Sequence, residues 1–235
     1  SAASDVYKRQ DPFPIDQIRI LGVMQRLALG YGITALAALL IKHKYIPYLI
    51  AVLLIGYFMI LAVGNGYVYD ETNVLSIVDR AVLGQAHIYG GAILDPEGLL
   101  STISAVAHVM IGFCAGKLLM EVKDIHEKLE RLFLIGTILT FAGFLLSYGS
   151  PICKKIWSPS FVLITCGMGS SFLALLVWII DIKGYKGWSR FFESFGVNPL
   201  FIYVLADILA ILFAMIPMTY AGEPTSLHGY IYLSL

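Results

Sequence analysis

The sequence predicts an all-α protein, a polytopic transmembrane helix bundle of about six spans. Two observations carry that expectation. Hydrophobic residues make up 58% of the chain, charged residues only 14%, and the mean hydropathy is +0.80. Soluble domains carry about 25% charged residues. The apolar residues are also gathered into runs of about 18–22, which at 1.5 Å per residue cross a hydrocarbon core roughly 30 Å thick. Backbone groups cannot go unpaired in lipid, so such runs must be helical. A barrel would need alternating residues, and these runs do not alternate.

The elements run in order along the chain. Residues 1–10 (SAASDVYKRQ) share nothing with residues 11–235 and read as translated adapter sequence. They lack the apolar core of a signal peptide and are set apart from the fold. Residues 11–235 read as a partial transmembrane domain, truncated at both ends, because an apolar stretch is only beginning at Tyr230, Ile231, Tyr232 and Leu233. After a polar lead-in with Pro12 and Pro14, the expected spans are 20–41, 46–63, 99–120, 132–148, 159–180 and 198–217. A long loop, 64–98, separates the second span from the third. A charged connector, 121–131, precedes the fourth, and a polar loop, 181–197, precedes the sixth.

Charge placement sets the expected orientation. Lys42, Lys44, Lys117, Lys123, Lys128, Arg131, Lys183, Lys186 and Arg190 all fall on one side of the array. Arg19, Arg80, Lys154 and Lys155 fall on the other. The richer side is therefore expected to be cytoplasmic, with 64–98 extracytoplasmic. The formal net charge is +0, so nothing marks the chain as a nucleic-acid binder. Cys114, Cys153 and Cys166 show neither CxxC nor Cys/His ligand spacing, so neither a disulfide framework nor a metal site is expected.

Ionisable residues within apolar runs are the informative ones, since each costs roughly 2.5–3.5 kcal/mol to place in hydrocarbon. Arg26 lies about six residues into the first span, roughly 9 Å deep. Its fork of donors suits a phosphate or carboxylate, and an ion pair with an acid of the long loop would explain it equally well. Asp207 falls near the middle of the sixth span, either orienting a substrate or a proton-transfer partner, or as a buried acid paired with Arg26 or hydrogen-bonded to a neighbouring helix. His108, mid-span, reads first as a lone histidine satisfied by a neighbour. The long loop holds Asp79, Arg80, His87, Asp95 and Glu97. A loop of that length is often functional, but Asp95-Pro96-Glu97 also reads as a helix start, with an acid and a proline at the positive end. Lys117 could anchor an anionic ligand or snorkel to the interface. Lys154, Lys155 and Trp157 fit interfacial anchoring.

Taken in order, several short runs resemble a known family. Gly22-Val23-Met24-Gln25-Arg26-Leu27, Asp79-Arg80, His87-Ile88-Tyr89 and the run from Asp95-Pro96-Glu97-Gly98 to Ile103 resemble heparan-alpha-glucosaminide N-acetyltransferases and their bacterial relatives. Ala115-Gly116-Lys117, Lys154-Lys155-Ile156-Trp157-Ser158, Asp181-Ile182-Lys183-Gly184, Asn198, Tyr203 and Asp207 continue the pattern. The resemblance implies a membrane-bound acyltransferase that moves an acetyl group from acetyl-CoA to a sugar or glycan acceptor across a membrane. The setting it implies is a bacterial inner membrane. It assigns Arg26 and Lys117 to acetyl-CoA or charge balance, Asp79, Arg80, His87, Asp95 and Glu97 to the outer acceptor side, and Asp207 to orienting a partner. The family's catalytic histidine is expected in an upstream segment near a Trp-Asn-Gly run. That segment is absent from this sequence, so the catalytic residue is unassigned and the isolated fragment is expected to be inactive. Membrane lipid is an expected partner, and a homodimer stays open. The alternative function is a transporter or flippase for a glycan or lipid precursor.

Overall fold

The computed structural model describes residues 18–89, 92–220 and 223–234. The adapter-like residues 1–10 lie outside the described residues. Among the described residues, five helices are long and apolar enough to cross a membrane, or six if a sharply bent pair counts as one span. The protein is therefore an integral membrane helix bundle. The described residues fall into two units, one ending at residue 184 and the other starting at residue 185.

In the first unit, α1 spans Val23–Leu40 and α2 spans Ile46–Val63, joined by a 3-10 turn at His43–Tyr45. The region expected to be a long loop holds a helix of its own, α3 (Val74–Leu83). Asn73 starts it: its side-chain oxygen accepts the Leu75 N–H at 2.9 Å, and its amide donates to the carbonyls of Gly66 and Val68. That one side chain satisfies a helix end and a loop together, as a good N-cap should. Apolar residues of α3 then join Tyr57, Leu61, Leu94 and Ile156 in a small buried cluster. This cluster is the floor of the candidate site.

The third span, α4 (Leu99–Glu121), is the central one, with 44% of its apolar window buried against 17% for α1. It packs against α1, α2 and α6. The fourth, α5 (Ile125–Leu146), begins seven residues before the expected 132. Asp124 caps it by accepting the N–H groups of His126 and Glu127, and Glu127 pairs with Arg131 one turn on at 2.5 Å. Capping and an i,i+4 pair thus carry a polar connector into the helix. The fifth, α6 (Pro159–Val177), ends in a π-turn at Trp178–Ile182.

Helices α5 and α6 form the tightest pair. A Cβ on Gly167 would stand 2.5 Å from the Thr140 nitrogen, and one on Gly136 would stand 2.7 Å from the Ser171 nitrogen. Small residues let backbones approach where lipid supplies no hydrophobic drive between helices. The outer surface is inverted relative to a soluble protein: Leu39, Val63, Phe141 and Leu145 are among many exposed apolar side chains. In a bilayer they meet acyl chains.

The second unit corrects another expectation. The segment read as the polar loop 181–197 contains a helix, α7 (Ser189–Val197), which meets α8 (Pro199–Met215) at 91°. Pro199 lacks an N–H and disfavours helical geometry at Asn198 (φ −134°, ψ 64°), which breaks the rod there. Beyond α8 the chain forms a short antiparallel hairpin, β1 (Pro217–Tyr220) with β2 (Glu223–Ser226), and a last helix, α9 (Leu227–Ser234).

Candidate functional site

The site is built on the turn at 95–98, where several elements of the first unit converge. Asp95 is 2% exposed. Its carboxylate accepts the backbone N–H groups of Glu97 (3.0 Å) and Tyr89 (2.9 Å) and the Arg19 guanidinium (2.5 Å). Glu97 holds the same guanidinium from a second direction, and the Arg19 Cζ lies 4.8 Å over the Tyr89 ring. Burial works against the Arg19 charge, but the two carboxylates outweigh it and push its pKa above the ordinary value. In the sequence Arg19 stood out only as one more charge on the sparser side. Here it ties the N-terminal approach to the turn.

Asp79 comes from α3 and is 1% exposed. One of its oxygens accepts the Leu99 N–H at 2.8 Å, so the carboxylate caps the positive end of α4. The other, Oδ2, has no hydrogen-bond partner. Burial pushes the Asp79 pKa up to about 6, against the Leu99 hydrogen bond, which lowers it. Gly98 is required at this junction, since a Cβ there would run into the Asp79 carboxylate.

Arg26 lies beneath the turn, 6% exposed, on the face of α1 that also buries Gly30 and Thr34. One terminal nitrogen donates to the Pro96 carbonyl at 2.7 Å and the other to the Ser101 hydroxyl. Its Cζ sits 4.7 Å over the Trp157 ring, and its Nε has no partner. Among the described residues of the first unit no carboxylate reaches ion-pair distance of Arg26. The ion pair anticipated as the bland explanation is therefore not what holds it. Of its donors, Nε alone is left without a partner.

Trp157 is the residue that sequence reasoning underweighted. Its backbone is left-handed (φ 51°), a conformation that costs a non-glycine residue of order 1–3 kcal/mol and collects at functional sites. The turn is fixed by the Ser158 hydroxyl oxygen, which accepts the Cys153 and Phe161 N–H groups and caps α6. The Tyr57 hydroxyl donates to the Ile156 carbonyl next door. The indole thus faces Arg26 rather than lying as an interfacial anchor. It also lies 5.9 Å from the His108 ring, centroid to centroid. Ser101, Ser104 and His108 share one face of α4 at i, i+3 and i+7, a spacing visible in the sequence. The His108 Nδ1, Ser104 Oγ and Trp157 Nε1 are buried without partners. His108 also lines a groove of about 710 Å³ between α1 and α4, with Thr34 and His43.

The other expected residues divide. His87 meets the Ile18 carbonyl at 2.8 Å through Nδ1, and its own carbonyl takes the Ile20 N–H, so it fastens the approach to α1. Arg80 points to Glu71 at 3.6 Å rather than to the turn. Lys117 pairs with Glu121 at 3.5 Å. It is 16 residues past Ser101 on α4, roughly 24 Å along the axis, so no compact group touches both Arg26 and Lys117. Asp207 is exposed on α8 in the second unit. No cluster of three metal-ligating side chains occurs among the described residues.

Comparison with known proteins finds two similar acetyltransferases. The mouse heparan-alpha-glucosaminide N-acetyltransferase is 30% identical over 154 residues, 56% of this chain. The human heparan-alpha-glucosaminide N-acetyltransferase is 27% identical over an alignment covering 82% of this chain. The chain is a distant relative of these acetyltransferases. The matches span 23% of the mouse enzyme and 37% of the human one. No family model matches the chain. The expected likeness to heparan-alpha-glucosaminide N-acetyltransferase is thus borne out as a distant relationship.

Proposed function

We propose that the protein to which this chain belongs is a membrane-bound acyltransferase, moving an acetyl group from acetyl-CoA to a sugar or glycan acceptor on the extracytoplasmic side of a bacterial inner membrane. The observation that carries this reading is Arg26: a buried guanidinium, stacked on Trp157, with no carboxylate partner among the described residues of the first unit, directly beneath the 95–98 turn. Its unpartnered Nε fits the carbonyl oxygen of a thioester, where negative charge develops as the acceptor attacks. The distant acetyltransferase relatives support the class of reaction.

The reaction makes simple demands. The acceptor nitrogen or oxygen forms a bond to the acetyl carbonyl carbon, the carbon–sulfur bond breaks, and the acceptor's proton goes in balance to the departing thiolate. In this reading Arg26 steadies the carbonyl oxygen or an anionic part of the donor. Asp79, Asp95 and Glu97 shape the outer acceptor side, Asp95 and Glu97 with Arg19 between them. Arg80 and His87 brace that side from its edges. Lys117, at the far end of α4, meets the phosphate-bearing part of an extended donor. Asp207 orients a partner within the membrane. The general base is assigned to no residue here; the family resemblance expects the catalytic histidine in an upstream segment.

The test uses the full-length protein in nanodiscs with radiolabelled acetyl-CoA and a panel of amino sugars and envelope glycans. Transfer that is lost in Arg26→Ala supports the reading. Movement of a glycan across the membrane without acetyl-CoA, and no transfer from folded protein, replaces it with a transporter.

A further inference from the structure

We propose that α7 is an interfacial helix whose aromatic face lies in the boundary between headgroups and acyl chains, with the bilayer itself as its partner. Three observations on one short element converge on this. The first is geometry. Helix α8 is a 17-residue apolar segment (Pro199–Met215), and α7 meets it at 91°. Spanning helices are tilted by only about 20° from the bilayer normal on average. With α8 alone taken as the span, its 17 residues at the short end of the spanning range, a helix at a right angle to it lies close to the membrane plane, at the depth where that span begins.

The second is the distribution of side chains. At 100° per residue, Phe191, Phe192 and Phe195 share an arc of about 100°. Trp188, one turn before Phe192, continues it. The rings touch one another: Trp188 with Phe192 at 5.5 Å, Phe191 with Phe192 at 5.3 Å and Phe191 with Phe195 at 4.9 Å. All four are exposed, Phe191 at 64% and Phe192 at 59%. Arg190, Glu193 and Ser194 occupy the opposite side. No residue of α7 is buried. Four clustered aromatics in water would be a costly surface; tryptophan is enriched at the headgroup level, and Trp and Phe occupy the apolar face of interfacial helices.

The third is charge. Lys186 lies in the turn that starts α7, accepting the Ser189 N–H and hydroxyl at its carbonyl. Lys186 and Arg190 have long stems that carry their charges up to lipid phosphates while the rings stay below. Both belong to the set of basic residues that marks one side of the chain. The occupant is therefore a phosphate-bearing interface rather than a purely apolar one.

Site-directed spin labelling tests the proposal. Single cysteines replace Phe191, Phe192, Glu193 or Ser194 in protein whose Cys114, Cys153 and Cys166 are changed to alanine. Each labelled protein is placed in vesicles of phosphatidylcholine and phosphatidylglycerol. Collision rates with oxygen, which partitions into lipid, and with a water-soluble nickel chelate are then compared. The expected result is high oxygen and low nickel accessibility at 191 and 192, and the reverse at 193 and 194. Low accessibility to both reagents at 191 and 192 means protein covers the face and overturns the proposal. High nickel accessibility at all four positions means water covers it, with the same consequence. Because 191 and 192 are read separately, a misfolded variant at one leaves the other decisive.

Discussion

The Arg26 guanidinium lies 4.7 Å over the Trp157 indole, and the two arrive there from opposite ends of the first unit. The contact joins α1 to the segment that caps α6. A desolvated cation–π contact of this kind is worth about 2 kcal/mol. On the acyltransferase reading proposed above, Trp157→Ala is expected to weaken acetyl-CoA binding by at least about tenfold, while Trp157→Phe keeps part of it. Arg26→Lys is expected to behave like Arg26→Ala, because a lysine cannot stack and donate to Pro96 and Ser101 at once. Isothermal titration of the full-length protein separates these outcomes; affinity equal to wild type in all four variants would remove the pair from the binding site.

Asp79 gives the protein a pH dependence of definite sign. Its folded pKa is raised to about 6 from an ordinary 3.8, so the folded state binds more protons than the unfolded state between those values. Stability must then fall as pH rises from about 4 to 6 and stay lower above, by up to about 3 kcal/mol at 1.36 kcal/mol per unit. Asn mimics the protonated carboxyl and still accepts the Leu99 N–H. In Asp79→Asn that dependence should vanish, and the variant should melt higher than wild type at pH 7.5 but not at pH 4. Thermal melts in detergent at the two values check this.

Gly98→Ala probes the same junction sterically. The added methyl meets the Asp79 carboxylate, and overpacking of this kind costs typically 1–3 kcal/mol. The paired change Gly98→Ala with Asp79→Ala should recover part of the loss. Additive losses in the double variant would show that the two positions act independently.

Arg19→Ala leaves Asp95 buried beside two backbone donors but without its cation. Removing one member of a fully buried pair costs about 3–5 kcal/mol; Arg19 is 28% exposed, so about 2 kcal/mol is expected. Asp95→Asn should soften the effect of Arg19→Ala, measured as a coupling in a double-mutant cycle of melting free energies.

Much of the fold was legible in the sequence because lipid admits so few backbone solutions. The spans at Ile46–Val63, Leu99–Glu121 and Pro159–Val177 fall close to the apolar runs. Helices that do not cross the membrane were harder to see. Helix α3 lay in a segment judged by length alone, although Asn73 before an apolar run was a readable cap. In α7 the charged residues masked an aromatic repeat with helical period. The site was half legible. Arg26, Asp79, Asp95 and Glu97 do gather at one turn, with Arg19 added. Arg80 and Lys117 do not join them, for reasons of helix face and axial distance that composition does not encode. The nearness of His108 and Trp157 depends on a left-handed backbone at residue 157, and no spacing rule announces such a turn.

The two hydrogen bonds from Arg26 to Pro96 and Ser101 have a consequence for any visitor to this place. The terminal nitrogens are already engaged when a guest arrives, so a guest that draws on them rather than on Nε alone gives up the Pro96 and Ser101 contacts. Occupancy and the order of that turn are then rivals for one cation. Weakly attracting guests leave the turn closed, and only a guest that rewards the exchange opens it. A single arginine would thereby act as latch and as sensor.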